Sequence, residues 1–127
     1  MLSDGLGIRE NYSLGASQSN HYRTMSGSPD NGTSIKHKDT WIEFYGADGM
    51  EAIVHPLNED WFMGSVQYGN RRRTTTGGRT QGPGSPAGST PGDWIAPLAF
   101  DPNDQLVVYD FRDSIYKSED FGDNHIT

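Results

Sequence analysis

The segment 69–93 contains no apolar residue larger than Ala87 and consists mostly of glycine, proline, threonine, serine and arginine. Such a stretch has no side chains with which to build a core, and irregular loops longer than about 12–15 residues are uncommon inside compact domains. It divides the apolar part of the chain in two. We therefore predict a long Gly/Pro/Arg loop here, which either contacts a partner or acts as a tether.

Aromatic and β-branched runs lie on both sides of this loop and are typical of strands. The five runs are 41–45, 50–54, 61–68, 94–100 and 105–111. The first two flank Gly46-Ala47-Asp48-Gly49, a break that favours a hairpin. Proline-containing turns precede the third run and separate the last two. The sequence thus predicts a mainly β domain over 39–111, a small antiparallel β sandwich or barrel of about five strands.

Polar segments precede and follow this domain. Apolar residues are scattered singly through 1–38, so we interpret it as a long irregular N-terminal arm. Within it, Pro29-Asp30-Asn31-Gly32 has strong turn chemistry and predicts at most a short ribbon. Residues 112–127 are acidic and polar and are interpreted as a C-terminal tail. We detect no internal repeat.

The apolar content is too small to order the whole chain without help. Leucine, isoleucine, valine and phenylalanine contribute 22 of 127 residues, and glycine, proline and serine contribute 35. Ordering a residue costs about 1–2 kcal/mol, whereas burying a large apolar side chain gives back about 1.5–3 kcal/mol. We therefore expect the arm, loop and tail to gain their burial from neighbouring subunits.

Charge is segregated along the chain. The strand runs hold acidic residues and no lysine or arginine, while eight of the ten basic residues lie in 1–38 and 69–93. A cationic loop and arm would dock on an acidic neighbour, including another copy of the same chain in a head-to-tail contact. A pI of about 4.8 makes nucleic acid an unlikely partner. The predicted partner-binding residues are Arg71, Arg72, Arg73, Arg79, Tyr12, Tyr22 and Trp94.

No recognisable catalytic, metal or cofactor motif is present in the sequence. Cysteine is absent, the four histidines are widely separated, and no serine lies in a G-x-S-x-G pattern. The run 82–87 fits G-x-G-x-x-A formally but lacks the strand and helix that a dinucleotide site requires. We predict that the protein is not an enzyme and carries no cofactor and no metal.

These observations favour a structural accessory protein of a large assembly that acts through protein–protein contacts. By elimination, we expect a viral or phage virion component, such as a capsid decoration, cement or minor shell protein, assembled in the host cytoplasm. Two alternatives stay open: a carbohydrate- or ligand-binding β module that uses exposed tryptophans, and a small regulator or inhibitor of one enzyme. No signal peptide and no membrane span are expected.

Overall fold

The computed structural model describes residues 9–127, and within them it is built of strands. Eleven strands form three antiparallel sheets. Sheet 1 contains β1 Ser13–Ala16, β2 Thr24–Ser28, β3 Gly32–His37 and β4 Thr40–Tyr45. Sheet 2 contains β5 Ala52–Val54, β6 Phe62–Val66, β7 Asn70–Thr74 and β8 Gly82–Pro83. Sheet 3 contains β9 Leu98–Phe100, β10 Val108–Phe111 and β11 Ile115–Ser118.

Each sheet is a meander in which every strand pairs with its neighbours along the chain. A single bridge adds a fourth segment to sheet 3: Ile126 pairs with Lys117 of β11 through two backbone hydrogen bonds of 2.7 and 2.8 Å. The prediction of a mainly β, antiparallel protein is confirmed. The narrower prediction of a sandwich or barrel of about five strands is not confirmed, because the three sheets do not close into a barrel and together contain eleven strands.

Sheet 2 lies between the other two sheets and uses alternate residues of each strand to contact them. Phe62 of β6 faces sheet 1, where its ring meets Phe44 edge to face at 5.0 Å. Met63, the next residue, faces sheet 3 and contacts Gly122. The main apolar core joins sheets 1 and 2 and consists of Met25, Ile35, Phe44, Ala52, Val54 and Phe62.

Glycines let sheets 1 and 2 approach closely. A Cβ on Gly27 would collide with the carbonyl of Met50, and one on Gly64 would lie 2.8 Å from both Met25 Cε and Thr33 Cγ2. At Gly27 backbone packs against backbone, whereas at Gly64 the backbone packs against the methyl groups of Met25 and Thr33. A glycine-rich chain with few large apolar residues therefore still forms a dense core.

The structure differs from the predicted N-terminal arm. Three strands of sheet 1 lie within 13–37, and Met25 and Ile35 are buried core residues. Their polar neighbours are serines and threonines on the opposite side of each strand, which hid the alternation in the sequence. The turn at Pro29 and Gly32 is confirmed as the β2–β3 hairpin. Residues 1–8 of the predicted arm lie outside the described residues.

Strand pairing also differs from the prediction. The runs 41–45 and 50–54 contain β4 and β5, but β4 ends sheet 1 and β5 begins sheet 2, so 46–51 connects two sheets and is not a hairpin turn. The predicted loop 69–93 contains β7 and β8, and the predicted tail contains β11. Polar strands form in both segments because each pairs with an apolar neighbour, β6 or β10.

The sheets reveal an internal repeat that the sequence analysis missed. Their first strands begin at Ser13, Ala52 and Leu98, so successive sheets start 39 and 46 residues apart. Spacings of this size are typical of repeated four-stranded units. The turns after β7 and β11 share one pattern, hydroxyl-x-polar-x-Gly. Thr74 Oγ1 accepts hydrogen bonds from the amides of Thr76 and Gly78, and Ser118 Oγ accepts them from Asp120 and Gly122. Equivalent backbone conformations thus recur in successive sheets despite little sequence identity.

Candidate binding surface

The loops β6–β7 and β8–β9 meet at one edge of the sheets and display two aromatic side chains. Tyr68 and Trp94 are 53% and 44% exposed, and their rings are perpendicular with centroids 5.3 Å apart. The Tyr68 amide donates to the Trp94 carbonyl at 3.2 Å, and the Gly92 amide donates to the Tyr68 carbonyl at 3.0 Å. The aromatic pair is consequently fixed by backbone bonds, while both rings remain available to a partner.

Tyr68 adopts a backbone conformation that favours glycine. Its φ of 62° and ψ of 22° lie in the left-handed region, where a side chain costs about 1–2 kcal/mol. Gly69 follows with φ 72°. Strain of this kind can be retained at binding sites. Five other non-glycine residues also have positive φ, the buried Phe121 among them, so the exposed ring and not the conformation alone distinguishes Tyr68.

Arg112, the residue after β10, bonds to both of these loops. Its guanidinium donates to the carbonyl of Gly69 and, at 3.1 Å, to Ser89 Oγ. Ser85 Oγ also donates to the Gly69 carbonyl, at 3.2 Å, and accepts from the Arg71 amide at 2.9 Å. The loops are therefore ordered in the isolated chain, which lowers the entropic cost of binding.

A groove of about 360 Å³ runs beside Tyr68, within the size range of ligand sites. Five polar residues, two prolines and Tyr68 line it. The lining residues are Gln67, Tyr68, Asn70, Ser85, Pro86, Ser89, Pro91 and Arg112. We name the groove together with Trp94 the loop surface.

A buried ion pair lies beneath the loop surface and joins sheet 2 to sheet 3. Arg71 of β7 donates from Nε and Nη2 to the two carboxylate oxygens of Asp110 at 2.8 and 2.7 Å. Both side chains have no exposed surface. Arg112 donates to the same carboxylate at 3.2 Å. Burial opposes the charged form of Asp110, but the hydrogen bonds and charges of the two guanidinium groups hold its pKa below the usual range.

The four predicted arginines have different environments. Arg71 is buried in the ion pair just described, so its guanidinium is used inside the chain. Arg73 donates to the Phe121 carbonyl at 3.0 Å and pairs with Asp123 at 2.9 Å, again between sheets 2 and 3. Arg72 lies 5.6 Å from the Tyr45 ring centroid and is exposed, as is Arg79. The structure does not gather the four into one cationic surface.

The predicted aromatic residues are also separated. Tyr12 is 42% exposed beside sheet 1, and Tyr22 is 50% exposed at the opposite edge of the sheets from Trp94. Tyr22 borders a cavity of about 460 Å³ between the β1–β2 loop and the β3–β4 turn, lined also by Asn20, Arg23, Lys36, His37, Lys38, Asp39 and Glu59. Only Trp94 of the predicted set belongs to the loop surface.

Two of the three tryptophans are exposed. Trp41 is 48% and Trp94 44% exposed, whereas Trp61 is half-buried and packs 5.8 Å from the ring of the fully buried Phe121. Trp61 therefore covers the edge of the core beside Phe121. Trp41 and Trp94 are exposed, so the alternative prediction that exposed tryptophans bind a ligand stays open.

Sequence reasoning missed Tyr68 and Arg112 as site residues. No local pattern marks them, because their roles depend on contact between loops that are distant along the chain. The turn after β11, which the sequence analysis interpreted as part of a polar tail, is ordered by hydrogen bonds. Asp120 accepts hydrogen bonds from the amides of Asp123 and Asn124, and although partial burial opposes its charge, these bonds and those from Asn124 Nδ2 and Ser118 Oγ lower its pKa to about 2.

Residues 9–127 contain no group of three or more histidine, cysteine, aspartate or glutamate side chains placed to hold a metal ion. In the same part of the chain, no helix has the length and apolar character needed to cross a membrane.

The fold is one of consecutive antiparallel meanders of three or four strands, packed face to face. Solved structures share this arrangement. An ancestral GH74 enzyme matches with a TM-score of 0.71 and 14% identity over 91% of this chain and 18% of the enzyme. The GH74 enzyme of Niastella koreensis matches with a TM-score of 0.68 and 10% identity over 96% and 18%.

YCF48 from Cyanidioschyzon merolae matches with a TM-score of 0.60 and 18% identity over 93% of this chain and 36% of that protein. The chain thus spans about a fifth to a third of the length of these solved chains. Identities this low establish similarity of fold alone. No family model matches the sequence, and neither does any curated protein.

Proposed function

We propose that this chain is a non-enzymatic protein-binding module of a larger assembly, and that its three sheets are blades of a β-propeller. Propellers consist of 4–8 four-stranded antiparallel blades, and loops at one end of the blades supply their binding surfaces. Three features support the blade assignment: the meander topology, the spacings of 39 and 46 residues between first strands, and the packing of sheet 2 between two others.

One observation carries the binding role: Tyr68 is held in a left-handed conformation with its ring exposed beside that of Trp94. Tyrosine, tryptophan and arginine are the residues that contribute most to protein–protein affinity. The loop surface presents the first two, with Arg112 at its base. The ordered loops favour a preformed surface over one that folds on contact.

Catalysis has less support. The ion pairs of Arg71 and Arg112 with Asp110 are internal and buried. Removal of either partner would leave an uncompensated buried charge, so a structural role explains them fully. The similarity to GH74 enzymes extends to less than a fifth of their length, and it therefore contributes the fold to this proposal and no activity.

The test compares proteins retained from native extracts by the unmodified chain and by Tyr68→Ser, Trp94→Ala and Trp41→Ala. Trp41 is an equally exposed tryptophan on a different sheet and serves as the matched control. We expect a specific partner to be retained by the Trp41→Ala chain and lost with both loop-surface variants. Equal retention by all four proteins would remove the loop surface from the proposal.

A carbohydrate-binding module is the second candidate, and the exposed Trp94, which packs on Tyr68 beside a groove of about 360 Å³, favours it. Trp94-dependent binding on a glycan array, with no retained protein, would support this alternative. The narrower expectation of a virion component stays a prediction. Mass spectrometry of purified native particles tests it, because a decoration or shell protein would be recovered at fixed stoichiometry with the capsid protein.

A further inference from the structure

Arg23 is a buried cation whose hydrogen bonds are incomplete. It lies just before β2 and is 6% exposed. Its Nε is a buried donor without a hydrogen-bond partner in the described part of the chain. By contrast, Arg9, Arg71 and Arg112 each donate from their side chains to several acceptors. Burial of a charged group without hydrogen bonds is costly, so an unpaired donor of this kind needs an explanation.

Two carboxylates approach the Arg23 guanidinium without satisfying it. Glu59 Oε2 lies 3.6 Å from Nε, and Asp60 Oδ1 lies 3.5 Å from Nη2. Both distances are longer than the roughly 2.7–2.9 Å of a charge-assisted hydrogen bond. The Glu59 carboxylate also accepts a hydrogen bond from Asn20 Nδ2. The guanidinium therefore retains donors for a further acceptor.

Arg23 lines the cavity of about 460 Å³ between the β1–β2 loop and the β3–β4 turn. This volume is within the range of small-molecule sites. Lys36 and Lys38 line the cavity from the β3–β4 hairpin, and the exposed Tyr22 lines it from the β1–β2 loop. We name it the Arg23 cavity. Basic side chains reach it from two segments that are distant in sequence.

The Arg23 cavity is less acidic than the chain as a whole. Its lining contains three basic residues and two acidic ones, Asp39 and Glu59, whereas the chain carries a formal charge of −7. Of these acids, Glu59 already faces Arg23. At 0.1 M salt, charges farther away than about 10 Å are largely screened. The groups that line the cavity therefore determine which ligand charge it favours.

The loop that carries Arg23 is ordered by its own hydrogen bonds. The Arg23 amide donates to the Asn20 carbonyl at 3.0 Å, and the Ser17 amide donates to the Arg23 carbonyl at 3.0 Å. The Tyr22 amide donates to Asn20 Oδ1 at 2.9 Å. A donor held in an ordered loop loses little conformational entropy when a ligand binds, which favours affinity.

We propose that the Arg23 cavity binds a small phosphate monoester, such as a sugar phosphate. A guanidinium presents parallel donors that fit two phosphate oxygens, and the lysine ammonium groups add point charges. A phosphate monoester carries about two negative charges at neutral pH, so three basic side chains match it better than they match a single carboxylate. The ring of Tyr22 provides an apolar wall for the organic part of the ligand.

NMR titration of the isotope-labelled chain with glucose 6-phosphate tests this proposal, with glucose and glucuronate as comparison ligands. We expect saturable shifts of the backbone amides of Tyr22 and of residues 36–39 with the phosphate ester. Glucose should cause none, because it lacks the anion, and glucuronate should bind more weakly. Absence of saturable shifts at millimolar glucose 6-phosphate, or equal affinity for glucuronate, overturns the proposal.

Variants assign the binding to the cavity. Arg23→Gln should weaken it about tenfold or more, through loss of charged hydrogen bonds. The double variant Lys36→Gln/Lys38→Gln leaves Arg23 in place, and each lysine should contribute about two- to fivefold. Lys117→Gln on sheet 3 is the matched control and should bind like the unmodified chain. Circular dichroism verifies that the variants are folded.

The double lysine variant keeps the proposal testable if Arg23→Gln fails to fold. Equal affinity of that double variant and Lys117→Gln would show that the ligand binds elsewhere and would overturn the proposal. Trp94→Ala should bind glucose 6-phosphate normally, because Trp94 lies at the opposite edge of the sheets. The outcome is therefore independent of the partner-binding role proposed for the loop surface.

Discussion

Arg71 of β7 and Asp110 of β10 form a two-point ion pair with no exposed surface, linking sheets 2 and 3 across 39 residues of sequence. Buried ion pairs of this geometry contribute less to stability than their hydrogen bonds imply, because both charges lose their hydration. Removing only one partner of such a pair nevertheless lowers stability strongly, because the other charge is then buried without a partner. The pair thus makes the relative position of the two sheets specific.

Asp110→Asn should lower the free energy of unfolding by about 3–5 kcal/mol, since it leaves two guanidinium groups facing a neutral amide in the interior. Urea denaturation followed by tryptophan fluorescence measures the loss. Asp123→Asn is the control, because the Asp123 side chain is 61% exposed and its pair with Arg73 should contribute less than about 1 kcal/mol. Similar losses in the two variants would contradict the importance of the buried pair.

Tyr68→Gly should be more stable than Tyr68→Ala by about 1 kcal/mol, because both lose the ring and only alanine keeps the cost of a left-handed backbone. Both variants should lose the partner. Chemical denaturation of the two proteins gives the difference directly. A more stable alanine variant would show that φ at this position carries no strain.

Gly27→Ala should disrupt the packing of sheet 1 on sheet 2, since its Cβ would collide with the Met50 carbonyl. Backbone on both sides prevents relaxation, so we expect a loss above about 3 kcal/mol or failure to fold. Gly82→Ala, where a Cβ meets nothing within 4 Å, should change stability by less than about 1 kcal/mol. Comparing the thermal unfolding of the Gly27→Ala and Gly82→Ala variants separates the effect of close packing on stability from that of losing a glycine.

His55 should make the fold sensitive to mild acid. Its Nδ1 accepts hydrogen bonds from the amides of Leu57 and Asn58 at 3.2 and 3.1 Å, and its ring lies 5.6 Å from that of Phe121. Burial lowers its pKa below 6.5. The unfolded state therefore binds the proton more tightly, and stability falls as the pH drops from about 6.5 through the lower folded pKa.

Urea midpoints between pH 4 and pH 8 test this effect for the unmodified chain and for His55→Asn. The asparagine variant should be less stable at pH 7 and should show a smaller change on acidification. A residual change will remain, because burial lowers the pKa of His125 as well. An NMR titration that placed the His55 pKa above 6.5 would be incompatible with neutral Nδ1 as the acceptor.

Asp120 should stay ionised to about pH 2, since amide donors surround its carboxylate after β11. Its folded pKa lies below the ordinary value of 3.8, so its contribution to stability is complete above pH 4 and disappears as the pH falls toward 2. Carboxyl chemical shifts followed by NMR give the value. Asp120→Ala should remove this acid dependence, whereas Asp113→Ala, an exposed aspartate, should preserve it.

Local sequence patterns were sufficient to predict the antiparallel β class, the strands around Phe44, Phe62 and Val108, and the hairpin turn at Pro29 to Gly32. Each of these depends on residues within a few positions of one another, where side-chain alternation and turn chemistry act locally. The polar segments that flank them were harder to interpret. Strands such as β2 and β7 are rich in serine, glycine or arginine and form because their neighbours complete the sheet.

Long-range contacts, visible only in the folded chain, determine which strands share a sheet, that Arg71 is buried, and that Tyr68 meets Trp94. The close packing of Gly27 on Met50, an ion pair between two sheets and a contact between two loops all depend on residues far apart in the chain, so no local pattern predicts them. Composition indicated too small an apolar interior. It could not show that Gly27 and Gly64 allow that interior to pack densely with so few large side chains.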